Sequence, residues 1–371
     1  MKRILWGLVA VVALVAAYLA FWPVPIHPVA WAAPVSPGYT GPYLANTRLA
    51  SAMPVPVAPE VGPEHIEFGP DGRLYTGVLS GKVLRMQPDG SGIGTVVDTG
   101  GRPLGLAFDP DGRLLVADAF RGLLRLEPDG RLSVLADRAD GTPILFADAV
   151  AVGANGALYL TDASQRFSAR EYGTFDASLL DIMEHACTGR VLEVSPASGA
   201  VRTVAGGLCF PNGIAVSGDQ RSIFVAETGE YRVWRFDVAA TGLDARQLAD
   251  GHDPRARVVV DNLPGYPDNL TRDGDGRLWT GLTKPRSDFI DANSGRPWLM
   301  SLSLRLPKAL WPVPPVYGHV IAFDESGRVV MDLQDPSGQI PETSGATVHG
   351  GRLYVHSLHG PAFGLMDAPP P

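Results

Sequence analysis

From residue 66 onward, apolar and polar positions alternate in short runs that recur along the chain. IEFGPDGRLYTG (66–77) returns as LAFDPDGRLLVA (106–117), VAVGANGALYLT (150–161), IAVSGDQRSIFVA (214–226), LTRDGDGRLWTG (270–281) and ATVHGGRLYVHS (346–357). Each copy is two alternating runs around an Asp-Gly or Asn-Gly type turn, the pattern of a β-hairpin. A second unit follows the first: GKVLRMQPDG (81–90), GLLRLEPDG (122–130), GRVLEVSPASG (189–199), YRVWRFDVAATG (231–242) and GHVIAFDESG (318–327), with FGLMD (363–367) as a shorter last piece. Two hairpin units per repeat predict four strands per blade, and six repeats predict an all-β, six-bladed β-propeller. The turn glycines Gly72, Gly112 and Gly156 lie 40 and 44 residues apart, the length of a four-stranded blade. Later spacings are longer, which places insertions at about 164–188 and 283–315, in loops of the face that usually binds ligands. A β-sandwich with chance similarity would not produce six copies in one order.

The start of the chain follows another pattern. Lys2 and Arg3 precede Ile4–Trp22, a run of 19 residues without a charge. A membrane-spanning helix needs about 20. Basic residues before the run and none just after it place the N-terminus inside and the rest outside the cytoplasm, periplasmic or extracellular. The run is longer than the roughly 7–15 apolar residues of a secretory signal, which favours an uncleaved N-terminal transmembrane helix. The small-x-small triplet Ala30-Trp31-Ala32 keeps cleavage open. The expected organisation is a membrane segment 1–22, a Pro/Ala-rich linker 23–62 and a propeller 63–371.

Composition narrows the function. Of 371 residues, 45% are hydrophobic, enough for a large core, and 43 Gly with 33 Pro but no short period point to many tight turns rather than to collagen. A net charge of -8 without basic runs argues against a nucleic-acid partner. Two cysteines are too few for a zinc ribbon or an iron–sulfur cluster. G-x-S-x-G, P-loop and H-E-x-x-H sequences are absent. The runs 189–195 and 201–206 read as a hairpin turning at 196–199, which sets Cys187 opposite Cys209 just beyond its open end. An exported compartment would allow a disulfide there; two buried thiols are the alternative.

The repeat itself selects candidate chemistry. Eight residues before each turn glycine stand Glu64, Leu104, Asp148, Asn212 (counted from Gln220), Asp268 and Thr343. These positions precede the innermost strand of each blade, so the fold brings them together around the channel. Acids gathered this closely repel one another unless a cation sits among them. Oxygen-only donors suit a hard cation such as Ca²⁺, and Asn269 offers another oxygen. Taken singly, Asn212 in Pro-Asn-Gly reads as a turn residue and the acids as caps or solvated groups; the shared offset is what argues for a site.

FPNGIAVSGDQRSIFVAET, PGYPDNLTRDGDGRLWTG and SGRPWLMSLSLRLP resemble the strictosidine synthase-like propellers over roughly residues 60–367. Gluconolactonases, regucalcin and paraoxonases are more distant relatives of the same architecture. In those hydrolases the resemblance implies a channel Ca²⁺ on ligands matching Glu64, Asn212, Asp268 and Asn269, with Asp268 activating water or substrate. Two positions depart from the pattern. Ala147-Asp148 stands where an Asn-Asp pair is common, and Ala119 stands near the paraoxonase-type histidine. The catalytic Glu of the plant synthases aligns with Ser344, two residues from Glu342.

The leading expectation is a calcium-assisted hydrolase of small-molecule esters or lactones, with Asp268 as catalytic base or ligand and Glu64, Asp148, Asn212, Asp268 and Asn269 holding the metal. A membrane-tethered binding propeller without catalysis is the alternative. Strictosidine-type C–N condensation is disfavoured by Ser344. His349, His356 and His359 cluster in the last blade but need not share a face, and Arg286 and Asp288 lie in the second insertion.

Overall fold

The computed structural model describes residues 2–248, 251, 253–311 and 313–370. Six sheets follow one another in chain order, each with four antiparallel strands. The innermost strands are Ile66–Phe68, Pro103–Phe108, Ala147–Val152, Pro211–Val216, Gly265–Arg272 and Thr343–His349. The all-β six-bladed architecture is therefore the one the repeat predicts. Blade three carries an additional short parallel strand, Leu243–Asp244, on its outer edge.

The ring closes through the N-terminal segment. Blade six takes three strands from the C-terminus, and its outermost strand is Met53–Pro56, paired antiparallel with Ala362–Asp367 (Met53 opposite Leu365, Pro56 opposite Ala362). An edge strand tolerates Pro54 and Pro56 because their missing N–H groups face no ladder partner. Residues 53–56 lie within the stretch expected to be a linker. Ile26, Tyr43, Leu49, Ala52 and Val57, from the same stretch, are buried against the blades.

Between blades, apolar side chains of facing sheets interlock. Ile66, Leu74, Leu84 and Met86 of blade one pack on Tyr354, Phe363 and Leu365 of blade six, and Tyr75 and Val83 pack on Leu106, Leu114, Val116 and Leu124 of blade two. Each such buried side chain contributes about 1.5–3 kcal/mol. The repeated Asp-x-Asp-Gly-Arg turn is held by its first carboxylate. Asp109 accepts from the N–H groups of Asp111 and Arg113, and Asp273 accepts from those of Asp275 and Arg277.

Both insertions are helical and lie at the same end of the channel. The first forms Ala169–Tyr172 and Thr174–Glu184, and the second forms Asp288–Asn293 and Pro297–Leu304. Near the N-terminus, Lys2–Phe21 is a helix of 20 residues, none buried, long and apolar enough to cross a bilayer.

Candidate functional site

Bulges aim the ring residues. In blades three to six the innermost strand slips register at its start, between Ala147 and Val150, Pro211 and Ile214, Pro267 and Leu270, and Thr343 and Ala346. A bulge re-aims the side chains inside it, here Asp148, Asn212, Asp268 and Ser344. The sixth member of the ring is thus Ser344, one residue past the Thr343 expected from counting. Blade six turns through only two residues, Gly350 and Gly351, both at positive φ, with His349 opposite Arg352. The shorter turn shifts the offset by one.

Hydroxyl groups staple neighbouring blades together. Thr161 Oγ1 donates to Asn212 O (2.7 Å), Thr228 Oγ1 to Pro267 O (2.7 Å), Ser344 Oγ to Glu64 O (2.6 Å) and Thr347 Oγ1 to Ile66 O (2.8 Å). Gly213 lets blades four and five approach: a Cβ there would lie 2.1 Å from Leu270 N and 2.5 Å from Asp268 O. That close approach is why a glycine follows Pro211-Asn212 in the inner strand of blade four.

Carboxylate oxygens of Glu64, Asp148 and Asp268 lie within 4.8 Å of one another, and all three residues are buried. Glu64 Oε2, Asp148 Oδ1, Asn212 Oδ1 and Asp268 Oδ1 are buried with no hydrogen-bond partner. Burial raises the pKa of Glu64 to about 7, against the charge of Arg102 and the hydrogen bond from Asn269. Burial, and then the charge of Glu64, raise Asp148 further, and Asp268 is raised by burial, Glu64 and Asp148. Four unpartnered oxygens on three acids and an amide form an all-oxygen donor set that fits a hard cation. Asn269 reaches the same group through its amide nitrogen, which donates to Glu64 O (2.9 Å) and Glu64 Oε1 (3.0 Å). Its visible part is to fix the orientation of Glu64.

Above the acids opens a pocket of about 870 Å³ including its mouth. Phe175, Leu179 and Ile182 of the first insertion, Phe146, Phe210 and Ile290 form much of its apolar wall. Lys284, Glu342 and His359 form its charged rim, with Lys284 Nζ 2.9 Å and His359 Nδ1 2.7 Å from the Glu342 carboxylate. Burial pushes Glu342 up, but hydrogen bonds from His359 and Lys284, with their charges, bring its pKa down to about 2.

Two contributors were not apparent from sequence. Arg102, 1% exposed, donates to Gly62 O (3.5 Å) and Leu358 O (3.3 Å) and supplies positive charge beside Glu64 and Asp148. Lys284 joins the rim from the end of a blade-five strand. A charge just before the inner strand of blade two, or at the end of the second strand of blade five, is the only hint.

The other candidates separate. His349 stacks on Phe68 (3.7 Å), His356 accepts or donates at Thr347 Oγ1 (2.9 Å) and packs against His65, and only His359 reaches the pocket. Arg286 and Asp288 lie outside it; Arg286 is bound to Asp291 (2.8 Å), Asn262 Oδ1 (2.6 Å) and Pro34 O (2.6 Å). Cys187 and Cys209 are joined by a disulfide beyond the hairpin Gly189–Val194/Val201–Leu208, and Cys209 N–H donates to Glu227 Oε1 (2.7 Å).

Fold and channel define the class, a six-bladed propeller with an acidic group at the mouth of its axis. Residues 66–290 match the SMP-30/Gluconolactonase/LRE-like region, and residues 41–86 match the strictosidine synthase-like N-terminal region. The chain belongs to the strictosidine synthase-like family within that wider class. It is 32% identical to the adipocyte plasma membrane-associated protein of Salmo salar, over 92% of this chain and 84% of that protein. It is 35% identical to strictosidine synthase-like protein 4 of Arabidopsis thaliana, over 87% of this chain and 84% of that protein. Among solved structures, a gluconolactonase of Xanthomonas campestris superposes with a TM-score of 0.61 at 21% identity, covering 93% of this chain and 99% of that one. A calcium-binding regucalcin of Agrobacterium tumefaciens gives 0.56 at 17% identity, covering 85% and 94%. At these identities the structural likeness concerns the fold.

Proposed function

We propose that the protein is a Ca²⁺-dependent hydrolase of esters or lactones, held to a membrane by Lys2–Phe21 with the propeller outside the cytoplasm. The observation that carries the reading is the set of four buried, unpartnered oxygens on Glu64, Asp148, Asn212 and Asp268 at the floor of an apolar pocket. These four residues hold the ion, and Asn269 keeps Glu64 in place. When bound, Ca²⁺ supplies the positive charge that polarises an ester carbonyl and stabilises the developing oxyanion. The apolar wall orients the substrate and excludes bulk water. Asp268, ionised when the neighbouring acids are neutralised, accepts the proton of the attacking water.

Condensation of an amine with an aldehyde finds no support in the side chains. Ser344 spends its hydroxyl on Glu64 O, and Glu342 is an ion-paired carboxylate held near a pKa of about 2. The test is a panel of aryl esters and lactones assayed on the full chain, with chelator and with Ca²⁺ restored. Turnover should vanish with chelator, return with Ca²⁺, and be absent in Asp268→Asn. Turnover indifferent to chelator, or binding of ligands without turnover in either state, overturns the reading; the second outcome favours a binding propeller.

A further inference from the structure

The N-terminal helix and the pocket mouth meet through one stretch of chain. Tyr18 Oη donates to Arg305 O (3.1 Å), and Arg305 Nε donates to Trp22 O (2.7 Å). Eight residues beyond Arg305, Val313 and then Pro314 line the pocket. Eight residues of chain reach at most about 28 Å, so the mouth lies within that distance of the helix end. Between them, Lys308 pairs with Asp176 (2.6 Å), next to Phe175 on the opposite lip of the pocket.

The outer surface of this stretch is apolar. Trp298 and Leu310 are each 63% exposed, and Val316 and Phe175 are partly open as well. On the blades, by contrast, large exposed apolar residues such as Leu79, Ile93, Val134 and Val330 are less exposed than Trp298 or Leu310 and lie far apart along the chain. Tyr18, Trp22, Trp298 and Trp311 accompany Arg305 and Lys308, with the Lys308 ammonium 5.2 Å from the Trp311 ring. Aromatic rings beside basic groups are the composition of a surface that sits among lipid headgroups. Inside the mouth, the apolar lining continues through Leu179, Ile182 and Phe210 to the acids.

We propose that residues 296–311 and 313–316 and the first turn of Thr174–Glu184 rest in the headgroup layer of the bilayer that holds Lys2–Phe21. The pocket then takes its substrate from that layer. The substrate class is an amphiphile, an ester or lactone carrying a long hydrocarbon chain, whose carbonyl reaches the acidic floor while the chain follows the apolar wall toward the lipid. The membrane-facing mouth stands on the surface just described; the words ester and lactone rest on the hydrolase reading.

Full-length protein in phosphatidylcholine vesicles doped with a lipid bearing a diazirine near its acyl carbonyl tests the placement. Photolysis and peptide mapping should give adducts within 296–316 and 174–184 and none in the opposite-face turns 69–73 and 109–113. Kinetics test the route. Trp298→Asp with Leu310→Asp, neither of which lines the pocket, should lower turnover of a vesicle-borne long-chain ester by about tenfold and leave a short water-soluble ester unchanged. Both side chains are solvent-exposed, and an unchanged melting temperature confirms that the variant is folded. Adducts confined to Lys2–Phe21, or a double variant equal to wild type on the vesicle-borne ester, overturn the proposal. Adducts in 296–316 without hydrolysis of any ester support the membrane-facing mouth and overturn the hydrolase reading alone.

Discussion

On the proposed Ca²⁺ reading, removing the ion should invert the usual dependence of stability on pH. Glu64 is 1% exposed, and burial lifts its pKa from an ordinary 4.5 to about 7 when no ion is present. A folded pKa above the unfolded one means that the folded state holds the proton more tightly. The resulting stability is complete below the ordinary carboxylate range and is lost as pH rises through about 7. For Glu64 alone the rise corresponds to roughly 3 kcal/mol at about 1.4 kcal/mol per pH unit. Asp148 and Asp268 are raised in the same direction and extend the loss to higher pH. With an unfolding entropy of about 2 cal/mol/K per residue over roughly 300 residues, 3 kcal/mol is about 5 °C in melting temperature.

The assay is thermal denaturation of chelated full-length protein between about pH 5 and about pH 8, repeated with Ca²⁺. Chelated protein should melt about 5 °C lower at the upper end, and Ca²⁺ should abolish the slope by neutralising the acids. Glu64→Gln removes one titrating proton and the charge that adds to burial in raising Asp148 and Asp268, so the chelated variant should show a shallower slope. A melting temperature that is flat or rises with pH in chelator refutes the reasoning, as does a Glu64→Gln variant that keeps the full slope.

Two further outcomes follow from the fold. Reduction of the Cys187–Cys209 bond, which spans 22 residues, should destabilise the protein by about 3 kcal/mol in the loop-entropy model; two free thiols in protein purified under non-reducing conditions would contradict it. Truncation before residue 23 should leave a folded propeller, whereas truncation before residue 63 removes Met53–Pro56 and the buried Ile26, Tyr43 and Leu49 and should lower the melting temperature sharply; equal melting of the two forms would show that blade six closes without its outer strand.

The blades were legible because their information is local. Alternation with a period of two and an Asp-Gly turn lie within a dozen residues, and repetition multiplies the signal. The ring was legible for a related reason, since a propeller places equal repeat positions around one axis. Legibility failed where partners are distant. MPVP (53–56) shows no alternation, and its pairing partner stands some 310 residues away, so nothing nearby marks it as a strand. Counting back from the turn glycine gives Thr343 and not Ser344 because it assumes equal turn lengths, and the Gly350-Gly351 turn is short. Lys284, Glu342 and His359 come from three separate segments and carry no common spacing.

Arg102 resolves what the missing amide at Ala147 leaves open. Ala147 brings no amide to the site while Asp148 brings a third carboxylate, and an extra negative charge in a buried site is costly. Arg102 sits just before the inner strand of blade two, the one blade whose ring position is apolar (Leu104), and its charge acts on both Glu64 and Asp148. The acids of the floor share this one guanidinium with the buried Asp118, so negative charge remains for a cation to balance. Its Nε remains without a partner while its outer nitrogens bind Gly62 O and Leu358 O. The guanidinium is therefore held by backbone carbonyls and not by a carboxylate, which leaves the oxygens of Glu64 and Asp148 free for the channel. An arginine paired directly with either acid would have consumed a donor; one pinned at a short remove lowers the repulsion and keeps the full oxygen set.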